Sequence, residues 1–183
     1  MLYIMRHGKT EWNDLQRLQG QTDIPLNENG RLMAKKAAEE YRDVHFDICY
    51  SSPLIRAFET AQTVLEGRDI PIVTDERLKE MSFGIYEGET GYWDRADFPL
   101  RKLFNEPDQY RKSIGGAESF EQLFERTGLF LDELIRPGLK KGQDILIVGH
   151  GAMNSAIVCQ IKKIPLKDFW SAGIENCKLM KLI

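Results

Sequence analysis

Two of the three histidines in this 183-residue chain end apolar runs and lie against glycine: Leu2-Tyr3-Ile4-Met5-Arg6-His7-Gly8 and Ile145-Leu146-Ile147-Val148-Gly149-His150-Gly151. A short apolar run stopped by Gly reads as a buried strand ending in a tight turn. In an open α/β sheet the ligand crevice lies beyond the carboxyl ends of the strands. Arg6 and His7 are therefore expected at a cleft, with Thr10 and Asn13 close behind. A cation beside an imidazole, with Gly letting the backbone approach closely, suits an anionic substrate and a histidine that does chemistry.

Phosphoryl transfer is the chemistry this set could perform. It needs a nucleophile, cations for the equatorial oxygens and a proton donor for the leaving alkoxide. His7 can be the nucleophile. Arg6, Arg56 and His150 can supply positive charge. Glu80 can be the acid if a partly buried, carboxylate-rich setting holds its proton. Phosphate-monoester hydrolysis is among the slowest uncatalysed reactions, which favours a dense charged pocket and a covalent intermediate. His45 has no special context and is assigned to the surface.

The elements that must position these groups alternate along the chain. After the first strand, residues 14–27 are polar and irregular, with Gly20 and Pro25. Asn27 is a natural N-cap for a helix over 31–41. Residues 46–50 read as a strand, and Ser51-Ser52-Pro53 as the N-cap and first residue of a helix over 53–65. Arg56 then falls in the first turn, where a cation opposes the helix dipole unless it and the helix N-terminus hold an anion together. Residues 71–74 form a short strand and 78–88 a loop on the cleft side. Between 92 and 110, charges, aromatics and two prolines suggest one short helix under a lid, followed by a hinge-like break at Gly115-Gly116. Residues 119–135 have the spacing of an amphipathic helix, which Pro137-Gly138 should stop. A helix over 152–160 follows the second histidine, and 179–183 is a closing strand. Alternation of this kind predicts an α/β fold, a three-layer α/β/α sandwich with a mainly parallel sheet, in one domain spanning 1–183.

The net charge of −3 argues against a nucleic-acid partner. No apolar run approaches a membrane span, and no signal-peptide region precedes Arg6, so a cytoplasmic protein with no membrane partner is expected. Cys49, Cys159 and Cys177 lack CxxC spacing and read as buried, reduced thiols, neither a disulfide framework nor a zinc site. No metal and no cofactor is expected, and the sequence sets no oligomeric state.

The ordered motifs give a more specific reading. Residues Arg6 to Asn13 resemble the RHGxTxxN signature of the histidine phosphatase superfamily, phosphoglycerate-mutase-like branch, which includes short broad-specificity and alpha-ribazole-type phosphatases. Gln19 to Asn27 resemble its GxxDxPL[ST] segment, Ser51 to Ala61 its SSPLxRAxxTA helix start, and Leu78 to Gly88 its LxExxFGxWEG loop. Gly115 to Ser119 resemble GGES with one residue inserted, and Val148 to Gly151 the VxHG strand end. Six motifs in order cover nearly the whole chain.

The resemblance implies a phosphoglycerate-mutase-like fold and a metal-independent phosphomonoesterase acting on a small phosphorylated metabolite. His7 would attack phosphorus and become phosphohistidine. Arg6, Arg56, Asn13 and His150 would hold the phosphoryl oxygens. Glu80 would protonate the leaving oxygen and then activate water. Gln19 and Gly20 match positions that touch substrate, and Gly151 and Ala152 could offer backbone N–H groups to the phosphate. The attacking nitrogen of His7 must be unprotonated, so its other nitrogen should donate to a carbonyl at the Gly8 turn. Lys9 stands where the family often has Glu, and would be either solvated or facing a second anionic group of the substrate. Tyr86 replaces a usual Trp. The chain's length and Thr10 favour a phosphatase over the alternative of a cofactor-dependent phosphoglycerate mutase. A phosphoprotein phosphatase is a further alternative, and a non-catalytic binder would need neither His7 nor Glu80.

Overall fold

The computed structural model describes residues 1–183. In chain order the elements are β1 (Leu2–Arg6), α1 (Glu11–Asp14), α2 (Glu28–Glu40), β2 (Ile48–Ser51), α3 (Ile55–Val64), β3 (Ile72–Thr74), α4 (Arg101–Asn105), α5 (Phe120–Phe130), α6 (Arg136–Lys140), β4 (Ile145–Gly149), α7 (Gly151–Lys162) and β5 (Leu179–Lys181). The strands form one sheet in the order β3-β2-β4-β1-β5. Only β5 runs antiparallel to its neighbour.

The apolar runs are continuous because both faces of the sheet are covered. Leu2, Ile4, Ile145 and Ile147 enter one core with residues of α5 and α7, such as Leu123, Phe130, Met153 and Ile157. Tyr3, Met5, Leu146 and Val148 enter the other with Ala34 and Ala37 of α2 and Ala57, Ala61 and Val64 of α3. The result is the expected three-layer sandwich. Adjacent β1 and β4 run in parallel, with Arg6 opposite Gly149. The two glycine-flanked histidines therefore leave the sheet side by side at its carboxyl edge.

Several local expectations need correction. β2 begins at Ile48 and not at 46, and β5 ends at Lys181. Residues 11–14 form a helical turn, closed by a capping box in which Thr10 and Asn13 bond each other's backbone N–H. Helix α3 begins at Ile55, not Pro53, and has no side-chain cap of its own. Its first N–H, from Ile55, is taken by Asp23 Oδ1 at 2.8 Å, and the Leu54 N–H by Ser52 Oγ at 3.2 Å. Pro137 does not stop the amphipathic helix. The chain passes from α5 through a π-helical turn at Leu131–Ile135 into α6. A wider turn just before proline removes the clash and the missing donor that a regular α-helix would suffer. The lid carries α4 and a second short turn at Pro107–Gln109. No helix is long and apolar enough to cross a membrane. The three cysteines are free and buried, and burial pushes the Cys49 and Cys177 thiols up to about 12.

Asn27 caps α2 as expected, accepting from Gly30 N at 2.8 Å. At Gly30 the helix also meets the turn after His7. A Cβ on Gly30 would lie 2.0 Å from Lys9 O, and one on Gly8 would lie 2.5 Å from Gly30 O. Alanine in place of helical glycine ordinarily stabilises by up to about 1 kcal/mol. Here the backbone contact should reverse the sign. We expect Gly30→Ala to destabilise by about 2–3 kcal/mol and to lower Tm by roughly 5–10 °C in thermal melts.

Candidate active site

Every backbone polar group where β1 ends has a partner. Arg6 O accepts from Cys177 N at 2.8 Å, and His7 N donates to Gly149 O at 2.9 Å. His7 O accepts from Asn176 Nδ2 at 2.7 Å, and Gly8 N donates to Thr60 Oγ1 at 3.0 Å. The strand end is thus fixed from four directions, and His7 with it. Its ring lies 2.6 Å, through Nδ1, from Gly8 O. Nδ1 carries the proton in that bond, because a carbonyl only accepts, so Nε2 keeps its lone pair. The side chain is 2 % exposed. Burial, and then the Arg56 and Arg6 cations, hold its pKa well below the ordinary histidine value, against the pull of the Gly8 bond.

Arg56 is fully buried. It donates to Thr22 O at 2.8 Å and Gly20 O at 2.6 Å, while its Nε has no partner. Burial lowers its pKa to about 10, partly offset by Glu80, Asp23 and Glu87, so it is charged at neutral pH. Arg6 makes no side-chain hydrogen bond or ion pair, and its Nε is buried and unpartnered. Two desolvated guanidiniums with unused donors form a receptor for a tetrahedral dianion.

Glu80 sits on the loop after β3. It accepts from Met81 N at 2.8 Å and from Ala152 N and Met153 N of α7 at 3.2 and 2.9 Å. Its setting is one of N–H donors and arginines, not the carboxylate-rich one expected from sequence. Glu87 is turned away, bonded to Gln21 N, Thr22 and Phe83 N. Gly151 lies between the two sides of the pocket: a Cβ there would sit in ordinary contact, 3.6 Å from both Arg6 Cζ and Glu80 Oε2.

Nine of the ten residues expected at the site line one cavity of about 210 Å³: Arg6, His7, Asn13, Gln19, Gly20, Arg56, Glu80, Gly151 and Ala152. Asn13 and Gln19 turn their carbonyl oxygens to Thr10. That leaves their amide nitrogens without a partner in the chain. Ala152 departs from expectation, since its N–H is spent on Glu80. His150 departs further. It is fully buried behind His7, with ring centroids 5.2 Å apart, and does not line the cavity. Its Nε2 lies 2.7 Å from Ser52 Oγ, and its Nδ1 has no partner. Burial and then Arg56 push its pKa well below the ordinary value, so it is neutral and does not supply the positive charge expected of it. Lys9 lies 3.5 Å from Asp14 and outside the cavity; the further cation lining the cavity is Arg17. His45 is exposed beside Asp47, as expected.

Sequence reasoning missed the support of Glu80. Arg126 of α5 is clamped by Glu118 at 2.6 and 3.0 Å and donates to Arg77 O at 2.5 Å and Glu80 O at 3.2 Å. Gln21 Nε2 reaches the same Glu80 carbonyl at 3.1 Å. The glutamate of the Gly-Gly-Ala-Glu-Ser segment therefore anchors the loop carrying Glu80. Because misplacement by about 1 Å can cost roughly 100-fold, Arg126→Met should lower kcat by at least about tenfold with a smaller change in KM. Arg126→Lys should recover part of kcat in the same steady-state assay.

The depressed histidines set a pH dependence of stability. Below about pH 6.5 the unfolded chain protonates both His7 and His150 while the native chain does not. Stability then falls as pH falls, by up to about 2.7 kcal/mol per pH unit for two groups. Urea midpoints between pH 7 and 5 should show this decline, and His7→Asn should remove about half of the slope.

The chain matches the histidine phosphatase superfamily (branch 1) over residues 2–183. Phosphoserine phosphatase 1 of Hydrogenobacter thermophilus is 30% identical over 177 residues, covering 96% of this chain and 82% of that protein. A 2,3-bisphosphoglycerate-dependent phosphoglycerate mutase of Cytophaga hutchinsonii is 33% identical over 170 residues, covering 92% and 80%. The solved structure of a mycobacterial glucosyl-3-phosphoglycerate phosphatase superposes with a TM-score of 0.84 at 29% identity, covering 97% of this chain and 90% of that one.

Proposed function

The chain belongs to the histidine phosphatase superfamily, and we propose that it hydrolyses small phosphate monoesters through a phosphohistidine formed on His7. One observation carries the reading: the Nδ1–Gly8 O bond of 2.6 Å leaves the Nε2 lone pair of a buried, neutral imidazole in the cavity that also holds Arg6, Arg56 and Glu80.

The substrate phosphoryl group binds between the two guanidiniums, with the amides of Asn13 and Gln19 as further donors. His7 Nε2 attacks phosphorus, a P–N bond forms and the P–O bond to the leaving group breaks. Glu80 takes up a proton together with the incoming ester, whose phosphate offsets the charge of the two guanidiniums, and gives that proton to the departing oxygen. The Glu80 carboxylate then takes a proton from a water that attacks phosphorus. The P–N bond breaks, phosphate leaves, and His7 and Glu80 return to their starting states. The two arginines stabilise charge on the equatorial oxygens in both halves, which lets protein groups alone carry the reaction. His150 packs behind the His7 ring, and its Ser52 bond fixes its position.

The resemblance of a relative named as a mutase gives a second reading, in which the phosphoryl group returns to a bound intermediate. Both are tested by one experiment. A panel of phosphorylated metabolites is assayed for phosphate release in excess chelator, beside a phosphoglycerate mutase assay with and without 2,3-bisphosphoglycerate. Chelator-resistant phosphate release is expected. Interconversion of phosphoglycerates without net phosphate release would overturn the phosphatase reading.

A further inference from the structure

The phosphoryl end of the cavity is charged, but its remaining wall is aromatic. Tyr92, Trp93 and Phe104 from the lid and Trp170 from the segment after α7 all line it. Phe104 is the hub: its ring centroid lies 4.9 Å from Tyr92, 5.0 Å from Trp93 and 5.5 Å from Trp170, the last pair stacked at 22°. Phe104 is buried core. The outer rings are not. Trp93 is 47% exposed although it lines the pocket, and Tyr92 and Trp170 are half-buried. The Trp170 indole N–H is already spent on Leu103 O at 2.9 Å, so the side chain offers a ligand only its apolar surface.

Phe98, Leu100, Leu103 and Phe104 already give this segment a buried core. Half-open rings around a cavity leave apolar surface that a ligand can cover, and aromatic faces prefer planar partners at 4.5–7 Å. The polar means of holding a second anionic group are few. Lys9 is outside the cavity, and Arg17 is exposed and tied to Gly88 O at 3.0 Å. An exposed cation contributes little to binding a carboxylate.

We propose that the group leaving with the ester oxygen is planar and apolar, an aromatic or heteroaromatic moiety that stacks against Tyr92 and Trp93 while its phosphate sits between Arg6 and Arg56. This rests on the phosphatase reading for the position of the phosphate. It distinguishes this pocket from one built for a phosphorylated amino or hydroxy acid, whose leaving group is small and carries a carboxylate.

The test compares esters whose leaving alkoxides differ little in basicity: benzyl phosphate, ethyl phosphate and phosphoserine. Covering one ring should raise kcat/KM for benzyl phosphate at least about tenfold over the other two. Trp93→Ala, at a half-exposed position whose ring contacts are Tyr92 and Phe104, should bring the benzyl-to-ethyl ratio to within threefold of unity while thermal melts show the variant folded. The same preference is read without turnover by titrating tryptophan fluorescence with benzylphosphonate and ethylphosphonate. A ratio near one in wild type, a phosphoserine rate above that of benzyl phosphate, or a ratio untouched by Trp93→Ala would overturn the proposal. A tenfold phosphonate ratio with no turnover of any ester would uphold the aromatic subsite and overturn the phosphatase reading instead.

Discussion

His7→Ala should abolish phosphomonoesterase turnover, by at least about 10⁴-fold in kcat on a generic aryl phosphate, while the protein stays folded. Removing a covalent nucleophile costs this much because the remaining pocket can only bind and polarise the ester. Folding should survive because the ring's one hydrogen bond is local, to Gly8 O, and the strand end is held by backbone bonds to Gly149, Thr60, Asn176 and Cys177 that alanine keeps. Stability should even gain below pH 6.5, where the native chain no longer has to keep a buried imidazole unprotonated. The measurements are initial rates, thermal melts and trapping of an acid-labile phosphoryl group on wild type that the variant lacks. Full activity in the variant would remove His7 from the mechanism.

How much of this was legible in the sequence depends on where each interaction comes from. His7 and His150 announced themselves because a strand end followed by glycine is a local pattern, and a parallel sheet then brings two such ends together. Arg56 was legible for a related reason: a cation in the first turn of a helix is unfavourable without an occupant. The start of α3 was misread because its cap comes from Asp23, 32 positions away, so a local Ser-Ser-Pro pattern pointed two residues too early. The support of Glu80 was hidden in the same way. Arg126 and Gln21 reach its carbonyl from other elements, and neither carries a local signature. His150 shows the opposite failure. Its residue type invited a positive charge, but burial beside Arg56 decides against one, and burial is a property of the fold.

The second large effect concerns Glu80 and separates its two duties. Glu80→Gln should slow hydrolysis of alkyl phosphates by about 10²–10⁴-fold, since an alkoxide leaves poorly without a proton. For 4-nitrophenyl phosphate the leaving phenolate needs no acid, so phosphorylation of His7 should remain fast. The second half-reaction should not, because the amide cannot take a proton from water. A rapid-mixing experiment should therefore show a burst of one equivalent of nitrophenolate, followed by a slow steady state that wild type lacks. The amide keeps one carbonyl oxygen able to accept from α7, but its NH₂ faces an N–H of Met81, Ala152 or Met153 that the carboxylate had satisfied. Some loss of stability is expected for that reason. It does not mimic the burst, because a merely loosened pocket would slow formation of the phosphoenzyme as well as its breakdown. Equal slowing of both half-reactions, with no burst, would place the proton donor elsewhere and leave Glu80 as a structural anchor between its loop and the start of α7.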